Sequence, residues 1–426
     1  MMTEQAEKAA RERGNATPTS TQSYPVTKIL LAVNTVVFLS LGITALTWTG
    51  ARRLFWALMD WGPFTLGGQW WRPLTSMFMH AGLGHLLSNL LVLRILGKRA
   101  EQILGKWAYL FLYLSCGLFG CLFSVAVHPE LGSLGASAGI FGLAGGLISI
   151  YTCKGFALAT EARWKLVALV LWTGYNVYPK RAEVDNAAHA GGLLTGLVLG
   201  VLLVRGFVAT SERLKLLTLR TAMLLLLGYG AVGYHNRYVI PLKVAMRELN
   251  GGSKTSALNA AKAALQKKPD SMLANVLAAE AYLKAEDYPN AEAAVLHALA
   301  VDHDDGHARY LLAQVKLHTG YCEEAQQIAD RLIFRTMKAR RYSSYSGFDR
   351  DKLSSLYKCD LAGSGDRALS EGKLDFAIAF YRQALSQEPD NMRAEAGLAK
   401  AYEAKGMRKE AEYASAKAAQ VRKQIR

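Results

Sequence analysis

Acidic residues are scarce in the first 250 positions of this chain, where 11 Asp and Glu stand against 23 Lys and Arg. Residues 251–426 hold 23 acids against 27 bases, so the formal net charge of +16 sits mainly on the first half. Basic excess of that kind is usual for the cytoplasmic loops of membrane proteins. It does not signal nucleic-acid binding here, because no basic helix or stacking-aromatic motif accompanies it. Cysteine is also sparse. Cys116, Cys121, Cys153, Cys322 and Cys359 form no CxxC pair and no zinc spacing. The first three lie in or beside apolar runs and read as packing residues. Cys322 and Cys359 could pair only if the second half faces an oxidising compartment. No signal peptide is expected either: residues 1–24 are polar and mixed in charge, without an apolar core or cleavage site, and residues 1–26 read as a disordered tail.

What is abundant is apolar sequence. A membrane-crossing helix takes about 20 mostly apolar residues. Candidate runs fall near 27–47, 74–96, 107–127, 136–152, 164–178, 186–204 and 216–235, the fifth being the shortest. With a cytoplasmic N-terminus, the inside segments hold fifteen Lys and Arg and the outside segments six, which favours that orientation. Seven spans then place the C-terminal half outside the cytoplasm; six would place it inside. The first outside loop, about 48–73, carries Trp48, Phe55, Trp56, Trp61, Phe64, Trp70 and Trp71. Tryptophan favours the membrane–water boundary, so this loop is expected to lie in the interface.

The second half repeats. Small residues at Ala257, Ala291, Ala325, Ala377 and Ala411 are spaced by 34, 34, 52 and 34. A 34-residue period of helix-turn-helix units resembles tetratricopeptide repeats, and the 52 is one period plus an insertion near 338–360. Such arrays bury a core by stacking neighbours and present a concave surface. The expected fold class is therefore all-α: a polytopic membrane helix bundle of six helices plus a seventh, followed by an α-solenoid. The expected domains are a tail at 1–26, a six-helix core at 27–205, a seventh helix and linker at 206–250, and the repeats at 251–426.

Three stretches of the membrane half carry chemistry-bearing residues. The first is Gly135-Ala136-Ser137-Ala138-Gly139-Ile140-Phe141-Gly142, where Gly135, Gly139, Gly142 and Gly146 share a helix face beside Ser137 and Phe141. Small residues let neighbouring helices approach closely in a membrane, and by itself this stretch could be no more than a packing face. The second is Asp185-Asn186-Ala187-Ala188-His189, followed by Gly192 and Gly196, which places a histidine on a second glycine face. A histidine that meets a serine in this way can accept its proton, and an ionisable residue within a membrane is a functional hypothesis by default. The third runs from Trp71-Arg72 to Asn89. His85 and Asn89 are four apart on one face and could donate to an oxyanion, while His80 points elsewhere and suits a loop-holding role. A metal site from His80, His85 and His189 is the rival reading. HExxH is absent, and no acid lies close enough in sequence to complete the ligands, so no metal or other cofactor is expected.

Together these stretches resemble the rhomboid family of intramembrane serine proteases over roughly residues 27–205. The resemblance implies Ser137 as nucleophile and His189 as general base and then acid, with no triad carboxylate, so Asp185 need not take part. It implies an oxyanion hole from His85, Asn89 and the Ser137 backbone N–H. It gives supporting places to His80, Gly135, Asn186, Trp71 and Arg72, and sets Phe141 against the catalytic imidazole where the family often has tyrosine. Ala138 stands where glycine is more usual, and Trp172 and Tyr175 resemble the lateral gate region. The implied partners are the lipid bilayer, transmembrane protein substrates, and a protein or peptide on the repeats. With no transit peptide in view, a bacterial cytoplasmic membrane is the expected location, and seven spans put the repeats outside. A catalytically silent membrane adaptor is the alternative, against which Ser137, His189 and Asn89 are all present. A transporter would carry more charge within its spans.

Overall fold

In lipid, a single chain satisfies its own backbone most simply as an α-helix, and helices dominate the computed structural model. It describes residues 23–47, 50–153, 185–205, 211–319, 321–339 and 360–424. Most of the N-terminal tail, the candidate span at 164–178 with Trp172 and Tyr175, and nearly all of the insertion near 338–360 lie outside the described residues. The chain divides into two units, 1–243 and 244–426.

In the first unit, α1 (Pro25–Thr47) is followed by α2 (Gly50–Leu58), β1 (Asp60–Trp61), and the short α3 (Gly62–Thr65) and α4 (Arg72–Ser76). Then come α5 (Leu83–Leu104), α6 (Lys106–Val127), β2 (Gly132–Ser133), α7 (Ser137–Cys153), α8 (Asn186–Arg205) and α9 (Ser211–His235). The apolar run expected to cross at 74–96 is divided. Its first part is α4, and the helix proper begins only at Leu83, after the extended Gly82. The α5 helix then runs on to Leu104, well past the expected end. Three of the described helices are long and apolar enough to cross a membrane, at Lys106–Val127, Asn186–Leu203 and Glu212–His235, and two shorter apolar helices cover Pro25–Leu41 and Ser137–Cys153.

The core of this unit is built where α5, α6, α7 and α8 converge on Leu93, Tyr109, Leu112, Tyr113, Ile140 and Leu143, all nearly inaccessible. The α7–α8 pairing is the most extensive, and it is made by glycine. A Cβ at Gly192 would overlap the carbonyl oxygen of Ala138, and one at Gly196 would overlap that of Gly142. Backbone thus lies against backbone, as small residues permit in membrane helices. The glycines of α7 look mostly the other way: Gly139 packs on Tyr113, Gly146 on Leu112, and Gly142 on Cys116 as well as near α8. Glu101, at the far end of α5, is buried and accepts from the Val26 and Thr27 N–H groups and the Thr27 hydroxyl, satisfying the otherwise open start of α1.

The helix α10 (Ile240–Leu249) spans the division, and the second unit continues with α11 (Lys254–Leu265), α12 (Met272–Lys284), α13 (Tyr288–Val301), α14 (Gly306–His318), α15 (Cys322–Ala339), α16 (Leu361–Ser370), α17 (Leu374–Gln387), α18 (Met392–Ala404) and α19 (Arg408–Gln424). This is an α-solenoid. Ser253, Ser271, Asp287, Asp305, Asp360 and Asn391 each cap a helix N-terminus through the side chain. Ala257, Ala291, Ala325 and Ala377 are fully buried, as the repeat register requires. Ala411 is only partly buried. Cys322 is disulfide-bonded, and Cys116, Cys121 and Cys153 are free; Cys359 lies outside the described residues.

Candidate active site

Ser137 is the first residue of α7. The chain reaches it through Gly135 at φ +121°, a left-handed conformation that side chains rarely adopt. Gly135 therefore belongs to the turn before the helix and not to its glycine face. Its N–H donates to the Ser76 carbonyl at 2.9 Å, tying the turn to the end of α4. On the neighbouring helix, Asp185 accepts from the Ala188 N–H at 2.9 Å, and His189 sits one turn in, buried. The α7–α8 glycine contacts bring the two together: His189 Nε2 lies 2.8 Å from Ser137 Oγ. The Phe141 ring stacks on the imidazole with centroids 4.2 Å apart and planes 18° apart. Gly120 of α6 completes the junction, since a Cβ there would run into both Ala138 and the Ala188 carbonyl.

The third stretch closes over the turn. A Cβ at Gly135 would stand 3.0 Å from the His85 ring and 3.7 Å from Asn89 Nδ2. His85 and Asn89 thus face the backbone just before Ser137. The Asn89 amide nitrogen is buried and has no hydrogen-bond partner among the described residues. That places a buried amide donor next to the turn that leads into Ser137. His80 lies in the loop before α5, buried, with its ring edge-on to His85 at 5.1 Å. Among the described residues, no three His, Cys, Asp or Glu are placed together to hold an ion.

Trp71 and Arg72 are not at the serine. Arg72 is buried and donates to the Trp56 and Met59 carbonyls at 2.7 Å each and to Gln69 at 2.6 Å, with its guanidinium over the Phe64 ring. It folds the first loop. Trp70 and Trp71 remain exposed. Asn186 opens α8 beside Asp185. Several residues of this region escape a reading of motifs. Ser76 is one. Asp60 is another: it is completely buried and hydrogen-bonded by Thr65 at 2.5 Å. Burial pushes its carboxyl up to about 7; Thr65 opposes this, Asp185 adds to it, and Arg72 and Cys121 oppose it. A lone acid within an acid-poor, aromatic loop was the available signal.

Residues 67–206 match the Rhomboid domain family model, and residues 368–414 match a tetratricopeptide repeat model. The chain is similar to RHOMBOID-like protein 7 of Arabidopsis thaliana, 36% identical over 34% of this chain and 47% of that protein. It is also similar to the rhomboid protease GluP of Bacillus subtilis, 33% identical over 30% of this chain and 25% of that protein. The chain spans about half the length, or less, of the first curated relatives it matches. Among solved structures it is similar to the MamA protein, with 21% identity, a TM-score of 0.28, and coverage of 44% of this chain and 92% of that one.

Proposed function

The chain carries a rhomboid domain followed by tetratricopeptide repeats, and from that premise we propose that it is an intramembrane serine peptidase acting on transmembrane proteins. The observation that carries the reading is the 2.8 Å contact between His189 Nε2 and Ser137 Oγ, made by two apolar helices. In this reading His189 takes the hydroxyl proton as Ser137 Oγ attacks the scissile carbonyl carbon. Negative charge builds on the carbonyl oxygen and is met by the Asn89 amide, His85 and the Ser137 N–H. Collapse breaks the C–N bond, and His189 returns the proton to the leaving amine. Water, deprotonated by the same imidazole, then hydrolyses the Ser137 ester. Phe141 keeps the imidazole in plane by stacking, and no carboxylate is required behind it; Asp185 is engaged with the start of α8.

The chain is an integral membrane protein, and its repeat unit is of a protein-binding kind. We assign to that unit the recruitment of a substrate or partner. We place the N-terminus in the cytoplasm, on the distribution of Lys and Arg, and the repeats on the outer side of a bacterial cytoplasmic membrane. The disulfide at Cys322 supports an oxidising surrounding for the repeats. The deciding experiment reconstitutes the full chain with a single-span model substrate and compares it with Ser137→Ala. Cleavage by the wild type alone is expected. Equal cleavage by both ends the peptidase reading and leaves a membrane adaptor.

A further inference from the structure

The chain does not simply leave the bundle after α9. It turns through Asn236, a 3₁₀ turn (Arg237–Val239) and the start of α10, and in doing so it makes bonds to two loops. Asn236 Nδ2 donates to the Val125 and Ala126 carbonyls at 3.2 and 3.3 Å, at the end of α6. The Tyr238 hydroxyl donates to Glu130 Oε1 at 2.8 Å. Lys243 Nζ donates to the Gly67 carbonyl at 2.8 Å. Asn236, Tyr238 and Val239 are buried, so these are not surface tethers.

Glu130 is the junction. Its carbonyl accepts from Trp61 Nε1 at 2.8 Å. Two residues later, Gly132–Ser133 pairs antiparallel with Asp60–Trp61. Gly62 allows this approach, since a Cβ there would overlap the Pro129 carbonyl. Two residues beyond β2, the chain is at Gly135, fixed to Ser76 and packed against His85. Every link from Tyr238 to Ser137 is therefore a bond or a close packing contact, over one short loop.

We infer that Asn236–Lys243 is a strap whose side chains, Tyr238 above all, position the Glu130–Ala136 loop and through it Ser137. These are positioning residues; none touches the reacting atoms. The catalytic arm of the inference rests on the peptidase reading, whereas the structural arm does not.

The test uses the full chain in detergent or vesicles. Tyr238→Phe removes only the hydroxyl, Glu130→Leu removes the acceptor, Glu130→Gln retains one, and Tyr234→Phe, at an exposed neighbour, is the control. Misplacing a reacting group by about 1 Å can cost up to about a hundredfold in rate. Tyr238→Phe and Glu130→Leu are expected to lower kcat roughly tenfold with KM unchanged, the double variant to lose no more than either single, and Glu130→Gln and Tyr234→Phe to stay near wild type. Hydrogen exchange supplies the second readout. Amides of residues 131–136 should exchange roughly tenfold faster in Tyr238→Phe, while those of α12–α15 do not change. Unchanged exchange in Tyr238→Phe and Glu130→Leu overturns the strap. If wild type and Ser137→Ala cleave alike, the peptidase reading fails and the exchange result still decides the strap.

Discussion

Asn89 and Asp60 are both buried polar side chains, and their burial has different consequences. Asn89 presents an unmatched donor toward the turn that holds Ser137. If it serves the oxyanion, Asn89→Ala should lower kcat by roughly a hundred- to a thousandfold with little change in KM, measured on the model substrate. Asp60 is buried with its carboxyl raised to about 7 from an ordinary 3.8. Between those values the folded state keeps a proton that the unfolded state has lost. Stability should therefore be highest at acid pH, fall as pH rises toward about 7, and level off above it. Thermal unfolding in detergent at pH 5 and pH 8 should show the lower midpoint at pH 8. Asp60→Asn should remove most of that difference.

Among elements, the α7–α8 pair dominates. Gly192 and Gly196 press on the backbone of α7, so a side chain at either must push the helices apart. Gly192→Leu should cost on the order of 1–3 kcal/mol from overpacking and abolish cleavage by separating His189 from Ser137. Gly84, in the first turn of α5, has open space where its Cβ would go. Gly84→Ala should be neutral, or stabilising by up to about 1 kcal/mol, and leave cleavage intact. Comparing melting midpoints and cleavage rates of the two variants checks the claim. The meeting of Ser137 and His189 was legible in the sequence because glycine at helical spacing marks a close approach. The division of the second apolar run at Met77–Gly82 was not, since hydropathy is blind to a loop built from apolar residues such as Met77, Phe78 and Met79. The assignment of Gly135 to a helix face failed for a related reason: spacing alone cannot tell the last residue of a turn from the first of a helix.

At the scale of the whole molecule, the sequence announced one architecture through long apolar runs and another through a 34-residue period, and both are present. Long-range bonds were hidden from it. Nothing local in Tyr238 or Lys243 points to Glu130 or Gly67, more than a hundred residues earlier. Those bonds set the end of α9 beside the loop that leads to Ser137, so the first unit ends on the side where the serine lies. If the repeats lie on the outer side, as proposed from the distribution of Lys and Arg, a soluble protease added to vesicles of defined orientation should digest the repeat unit only on the side where substrate is cut. Digestion only from the opposite side would refute that placement.

The backbone contact between α7 and α8 also bears on what may vary. Because carbonyls and glycines set the spacing of the pair, the outward residues of α8 do not. Leu194, Val198 and Leu202 are 45–60% exposed. They can drift among apolar types, tracking the thickness and composition of whatever bilayer surrounds them, while the serine and histidine stay in register. The lipid-facing exterior has evolutionary latitude that the glycine seam does not.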